Sequence, residues 1–226
     1  MSLRRHVAIL ACLLLSACGF VDFDKAPVGR FDGSLLVMWV GEGDSSGDGR
    51  FVYVPSRTRP LTFYRDRPGV EVTTIQPDLM YTDGGSIPKA GQLFNGFSPW
   101  GYAPAYMVHD WLFVARHCLI DGDANEAEQK IAGMEFQESA EIIAEAIKTL
   151  VATGKVQNND VAPRVISGAV AGPFAYERWT VQGACKDDRV SQEHRREVEA
   201  AFAQRSGARL RTLGAPAARI VAEISF

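Results

Sequence analysis

Two short polar motifs stand out against an apolar background. His109 and Asp110 are adjacent within residues 105–115, a stretch otherwise made of Ala, Tyr, Met, Val, Trp, Leu and Phe. An imidazole can move a proton near neutral pH, and a carboxylate beside it can orient it, stabilise its charge or hold a cation. A titratable group inside an apolar helix is costly unless it is paired. Asp83, Ser86 and Arg116 are the candidate partners, Arg116 lying two helical turns after His109. The second motif is Tyr81-Thr82-Asp83-Gly84-Gly85-Ser86-Ile87-Pro88. An Asp before two glycines makes a tight turn whose backbone can approach a ligand closely. Ser86 could also cap a helix begun by Pro88.

Three kinds of role suit these residues. In the first they form a hydrolytic site similar to that of secreted phospholipases A2. His109 is then the base, and Asp110 binds Ca²⁺ together with backbone carbonyls of residues 81–85. Glu141 orients the imidazole. The cysteines that surround His-Asp in those enzymes are replaced here by Val108, Trp111, Leu112 and Phe113. In the second, no metal is needed: Ser86 is the nucleophile and His109 its base. The run 84–88 lacks the second glycine of a nucleophile elbow. In the third, the same groups are a hydrogen-bonded staple without chemistry.

The combination of Thr82, Asp83, Gly84, Ser86, Ile87 and Pro88 with His109 and Asp110 resembles domain of unknown function family 1353, found in phages and bacteria. The resemblance spans residues 70–179 and includes a glycine-containing helical segment closed by Trp179. Where that family has an Ala-Asp pair, this chain has Ala140-Glu141. The resemblance implies no agreed activity.

The N-terminus carries a different kind of chemistry. Arg4 and Arg5 precede an apolar run over 7–15, then Ser16, Ala17, Cys18 and Gly19. This is the layout of a secretory signal, and the run is shorter than the ~20 apolar residues that span a bilayer. Leu15-Ser16-Ala17-Cys18-Gly19 resembles a bacterial lipobox. The resemblance implies cleavage before Cys18 and lipidation of its sulfur, so that the lipid bilayer is a partner. Gly19, rather than Asp, after the cysteine favours the outer membrane. Loss of Arg4 and Arg5 lowers the basic residues from 24 to 22 against 27 acidic ones, moving the net charge from −3 to −5. With no Lys/Arg cluster, this is a poor nucleic-acid binder. Cys12 leaves with the signal and Cys18 carries lipid. Cys118 and Cys185 remain as an even pair in an oxidising compartment, and a disulfide is expected.

The remaining elements must position these groups. Strands are expected at 35–40, 51–54, 61–64 and 70–75, forming one small antiparallel meander, with 218–226 returning to it. Helices are expected at 103–117, with Pro104 in the first turn, and from an Asp123/Glu126 capping box to about 153. Two more are expected at 160–179 and 188–205, the last a largely solvated face carrying His194. Asp121 to Asn125 reads as a helix-entry loop rather than a calcium loop. The aromatics Phe94, Phe97, Trp100, Tyr102 and Tyr106 read as core or cleft wall. Strands followed by helices predict an α+β fold: a signal over 1–17, a tether over 18–30 and a single domain over 31–226. The expected function is an envelope lipoprotein with a structural or binding role. A His-Asp hydrolase and a phage-related envelope or exclusion protein are the alternatives. No cofactor beyond Ca²⁺ is suggested.

Overall fold

The structure, a computed structural model, describes residues 20–42, 49–87, 90–159, 161–205 and 218–226. The expected signal, Cys18 and Pro88 lie outside the described residues. The class is α+β, with antiparallel sheets and a helical second half in one body.

The strands make two sheets rather than one meander. β1 (Arg30–Asp32), β4 (Thr62–Tyr64) and β5 (Thr74–Ile75) form the smaller, in the order β1-β4-β5. β2 (Ser34–Glu42), β3 (Gly49–Pro55), β6 (Met80–Thr82) and β7 (Arg219–Ser225) form the larger, in the order β6-β3-β2-β7. All pairs are antiparallel. The tail does return to the sheet, as expected: Ser225 pairs with Ser34.

The unbroken apolar run in β2 has a physical cause. Side chains alternate across a strand, and β2 is covered on both faces. Leu35 and Val37 join Tyr53 and Met80 in the main core, whereas Leu36, Met38 and Val40 join Val52 and Val54 in a second core behind the sheet.

The helices are α1 (Ala103–Asp121), α2 (Glu126–Gln129), α3 (Phe136–Ala152), α4 (Ala162–Val170), α5 (Pro173–Trp179), α6 (Cys185–Asp188) and α7 (Gln192–Arg205). α1 and α3 pack on each other and fill the main core with Met107, Leu112, Ile143 and Ile147. α7 covers the opposite face of the larger sheet through Val198 and Phe202. It is therefore less solvated than its charge suggests.

Four expectations are corrected. Within 70–75 only Thr74 and Ile75 pair as strand, because the Val72 carbonyl is turned to accept from the Arg65 guanidinium. The capping box is Asn125/Glu128, not Asp123/Glu126, and the helix it opens lasts four residues before a break ahead of α3. The 160–179 segment is split by Gly172, with Pro173 starting α5. The body begins before residue 31: Phe23 is buried in the main core, and the short 3₁₀ turn Phe23–Lys25 lies on it.

One buried cluster joins the small sheet to α3. Arg65, just after β4, has a fully buried guanidinium, which donates to both carboxylate oxygens of Glu145 at 2.8 and 3.0 Å and also meets Glu138. Arg67 pairs with the same Glu145 at 2.7 Å. Removing one partner of a buried pair leaves a charge that the interior cannot solvate.

Cys118 at the end of α1 and Cys185 at the start of α6 form the expected disulfide, closing a separation of 67 residues.

The buried and exposed ion pairs should differ sharply in their effect on stability. Glu145→Ala should lower unfolding stability in urea by about 3–5 kcal/mol, whereas Asp32→Ala, which breaks the exposed pair with Arg59, should leave it nearly unchanged. Replacing Cys118 and Cys185 by Ser should lower it by roughly 4 kcal/mol, on the chain-entropy estimate for a loop of this length.

Candidate functional site

The Asp83 turn is held flat against the start of α1. Gly84 adopts φ +88°, a left-handed conformation that favours glycine. A Cβ there would lie 2.5 Å from the Pro99 carbonyl oxygen, and one at Gly85 would lie 2.7 Å from the Tyr106 ring. The Gly85 N–H donates to the same Pro99 carbonyl at 2.6 Å. Both glycines are thus required for contact with the segment that leads into α1. Asp83 and Ser86 consequently stand at the surface, with the Ser86 hydroxyl 3.5 Å from the Asp83 carboxylate. No α-helix starts at Ser86 among the described residues; a 3₁₀ turn, Gly91–Leu93, follows.

α1 has Pro104 in its first turn, as its sequence suggests, and Gly122 closes it at φ +73°. Helical spacing puts Tyr102, Tyr106 and Asp110 on one stripe, and His109, Phe113 and His117 on the next. Tyr102 and Tyr106 are edge to face, with centroids 6.1 Å apart. His109 lies 5.0 Å from Phe113 between centroids.

Asp110 is the chemically distinctive group. Solvent reaches 34% of its side chain, although protein surrounds the carboxyl on most sides. Burial raises its pKa above the ordinary carboxylate value; the Asp83 charge adds to the rise, and His109 and Arg178 oppose it. His109 Nδ1 lies 3.6 Å from Asp110 Oδ1, an electrostatic contact longer than a hydrogen bond. Tyr106 is held above the usual phenol range by burial first, then by Tyr102 and the Asp110 charge. Tyr106 Oη and His109 Nε2 are buried and have no hydrogen-bond partner among the described residues.

The structure therefore brings Asp83, Ser86, His109 and Asp110 to one region. Glu141 is directed elsewhere. It sits on α3, where Arg67 and Gln137 engage its carboxylate at 2.5 and 3.3 Å. It lines a cavity of about 180 Å³ with Phe20, Lys25 and Arg67. The guanidinium of Arg67 is the stronger partner, so Glu141 does not orient His109. Arg116 likewise lies over the Trp179 ring, 5.5 Å from its centroid, rather than on the His-Asp pair. Among the described residues no three His, Cys, Asp or Glu side chains are placed to hold a metal. Asp83 is a carboxylate whose charge acts on Asp110.

Three polar arrangements are not apparent from the sequence. His117 is fully buried, with Nδ1 on Asp188 and Nε2 2.6 Å from the Arg178 carbonyl. The Asp121 carboxylate accepts from the Gly183 and Cys185 amides at 2.6 and 2.9 Å, which lowers its pKa. These contacts, with the disulfide, bind α6 to α1. His194 is not simply solvated: its Nδ1 is 2.8 Å from Tyr81 Oη, which also accepts from the Ser191 amide. Ser191 before α7 is a legible capping residue; nothing local to His194 points to Tyr81. Of the aromatic run, Tyr102 and Tyr106 are core, whereas Phe94 and Trp100 are exposed.

The raised Asp110 pKa has a definite sign in stability. The folded state holds this proton more tightly than the unfolded chain, so its contribution is fully present below the ordinary value of 3.8 and is lost as pH rises through the raised one. Asp110→Asn should therefore melt above the wild type at pH 7, and the difference should vanish on acidification below that ordinary value. Melting curves across pH check this; a variant less stable than wild type at pH 7 would contradict it.

The chain matches no protein-family model, no curated protein and no solved structure.

Proposed function

We propose that the protein is a lipid-anchored lipoprotein of the bacterial envelope whose body binds a polar ligand at the Asp83–Asp110 site. The anchor rests on Leu15-Ser16-Ala17-Cys18 and the charged and apolar segments before it. The outer membrane is its preferred location, given Gly19. The disulfide between Cys118 and Cys185 fits an oxidising compartment. The resemblance of residues 82–88, with His109 and Asp110, to domain of unknown function family 1353 supports placing the site at Asp83, Ser86, His109 and Asp110.

One observation carries the binding reading. A carboxyl with a raised pKa, still open to solvent, adjoins two buried polar atoms, Tyr106 Oη and His109 Nε2, that lack hydrogen-bond partners among the described residues. Such atoms are costly to bury. A ligand bringing both donors and acceptors would offset that cost, and an ammonium or a cation would suit the two carboxylates. The hydrolase reading has its own support. An imidazole with one nitrogen toward a carboxylate and the other unpartnered is the arrangement of a general base. His109 is only 6% exposed, however, whereas solvent reaches 34% of the Asp110 side chain, so an incoming molecule meets the carboxyl rather than the imidazole, which favours binding over catalysis.

Three measurements test the proposal. Radiolabelled palmitate should enter the wild type and not Cys18→Ala; equal labelling of both would remove the anchor. Calcium or simple primary amines should raise the melting temperature of the purified protein by several degrees, as expected for a ligand that binds only the native state at well above its dissociation constant. Asp110→Asn and Tyr106→Phe should lose the rise. Hydrolysis of a p-nitrophenyl ester by the wild type but not by a folded His109→Ala would instead establish the catalytic reading.

A further inference from the structure

α4 is apolar on the wrong side for a helix that faces water. Its inward face is Ala162, Ile166 and Ser167, all buried. Its outward face carries Val165, Gly168 and Ala169, with Val161 just before the first turn, and all four are exposed. A surface helix normally turns charged and polar residues outward; one that is apolar all round is usually covered. The only charged residue of α4 is Arg164. It is held by Asp24, Nη2 to Oδ1 at 2.6 Å and Nε to Oδ2 at 3.1 Å.

The patch continues beyond the helix. The Asn159 side chain donates to the Asn95 carbonyl and accepts from the Val161 and Ala162 amides. This holds the 93–95 loop against the start of α4. Leu93 is 86% exposed and Phe94 68% exposed. Large apolar side chains gathered on one surface mark a place where something is bound.

The same surface adjoins the incoming N-terminal segment. Asp24, which grips Arg164, is four residues after Phe20, and Phe20 is two after Cys18. At about 3.5 Å per extended residue, a lipid on Cys18 is tethered within roughly 20 Å of Asp24. We infer that the outward face of α4, with Leu93 and Phe94, rests on the lipid bilayer beside the Cys18 anchor. This rests on the lipoprotein reading above. An acyl anchor brings an adjacent apolar surface to the headgroup boundary, where its burial adds to the hold of the lipid.

The test uses the full chain, processed in cells, purified in detergent and reconstituted into phosphatidylcholine vesicles carrying nitroxide on their acyl chains. Phe94→Cys, Val165→Cys and, as a control on α7 across the larger sheet, Arg196→Cys are each labelled with an environment-sensitive fluorophore. Circular dichroism establishes that each is folded. Fluorescence at 94 and 165 should be quenched at least about threefold more than at 196, as expected for side chains immersed at the acyl boundary. Flotation of the protein with vesicles and equal quenching at all three sites would overturn the membrane-facing surface and leave the anchor standing. Failure to float would overturn both. Cross-linking of Val165→Cys to itself on vesicles, without quenching, would assign the surface to a second copy and equally overturn the proposal.

Discussion

The Arg65 guanidinium lies wholly inside the protein, and the rest of the small sheet is arranged around it. Two oxygens of Glu145, one of Glu138 and the Val72 carbonyl receive its donors. An ion removed from water must have its hydrogen bonds met in full, and the geometry of a guanidinium leaves little latitude in how. β4 and α3 are therefore fixed relative to each other by direction as well as by contact. The chain between β4 and β5 must also bend to present the Val72 carbonyl. Hydrophobic burial would hold these elements together without specifying their register; the charged pair supplies that specification.

A second set of constraints acts at the other end of α1. There the disulfide, the Asp121 carboxylate on two backbone amides and the buried His117 all bind the same short segment around α6. α1 is thus secured at its last turn by these contacts and at its first by the Gly84-Gly85 turn packed against Tyr106. Asp110 falls between the two, on a helix with little freedom to shift. A carboxyl whose protonated form is favoured by its surroundings needs such a frame, because relaxation of the helix toward water would relieve the burial.

What the sequence discloses, and what it does not, divides by range. Apolar runs locate β2, β3, β4 and the returning C-terminal strand. Pro104 marks the first turn of α1, and elimination of the other cysteines pairs Cys118 with Cys185. The capping box is ambiguous in sequence because Asp123/Glu126 and Asn125/Glu128 both have the right spacing; Arg189, bonded to Glu128 at 2.6 Å from 61 residues away, belongs to the second. The site is partly legible. Asp83, Ser86, His109 and Asp110 stand out because each breaks a local pattern. Tyr106 reads as an ordinary aromatic. Glu141 reads as a partner of His109 because its true partner, Arg67, lies 74 residues earlier in a segment without periodicity. Pairings of this kind carry no local signal.

The antiparallel pairing of β2 with β7 bears on the order in which the protein can form. Ser34 and Ser225 meet although 191 residues separate them. Until the last strand arrives, β2 presents an open edge while both of its faces are apolar. Non-local pairings of this sort close slowly, and an unpaired apolar edge is a template for association between chains. Until β7 has been made, this strand must therefore be kept shielded. Factors that delay collapse would accordingly be expected to raise the protein's yield more than the modest size of the domain would suggest.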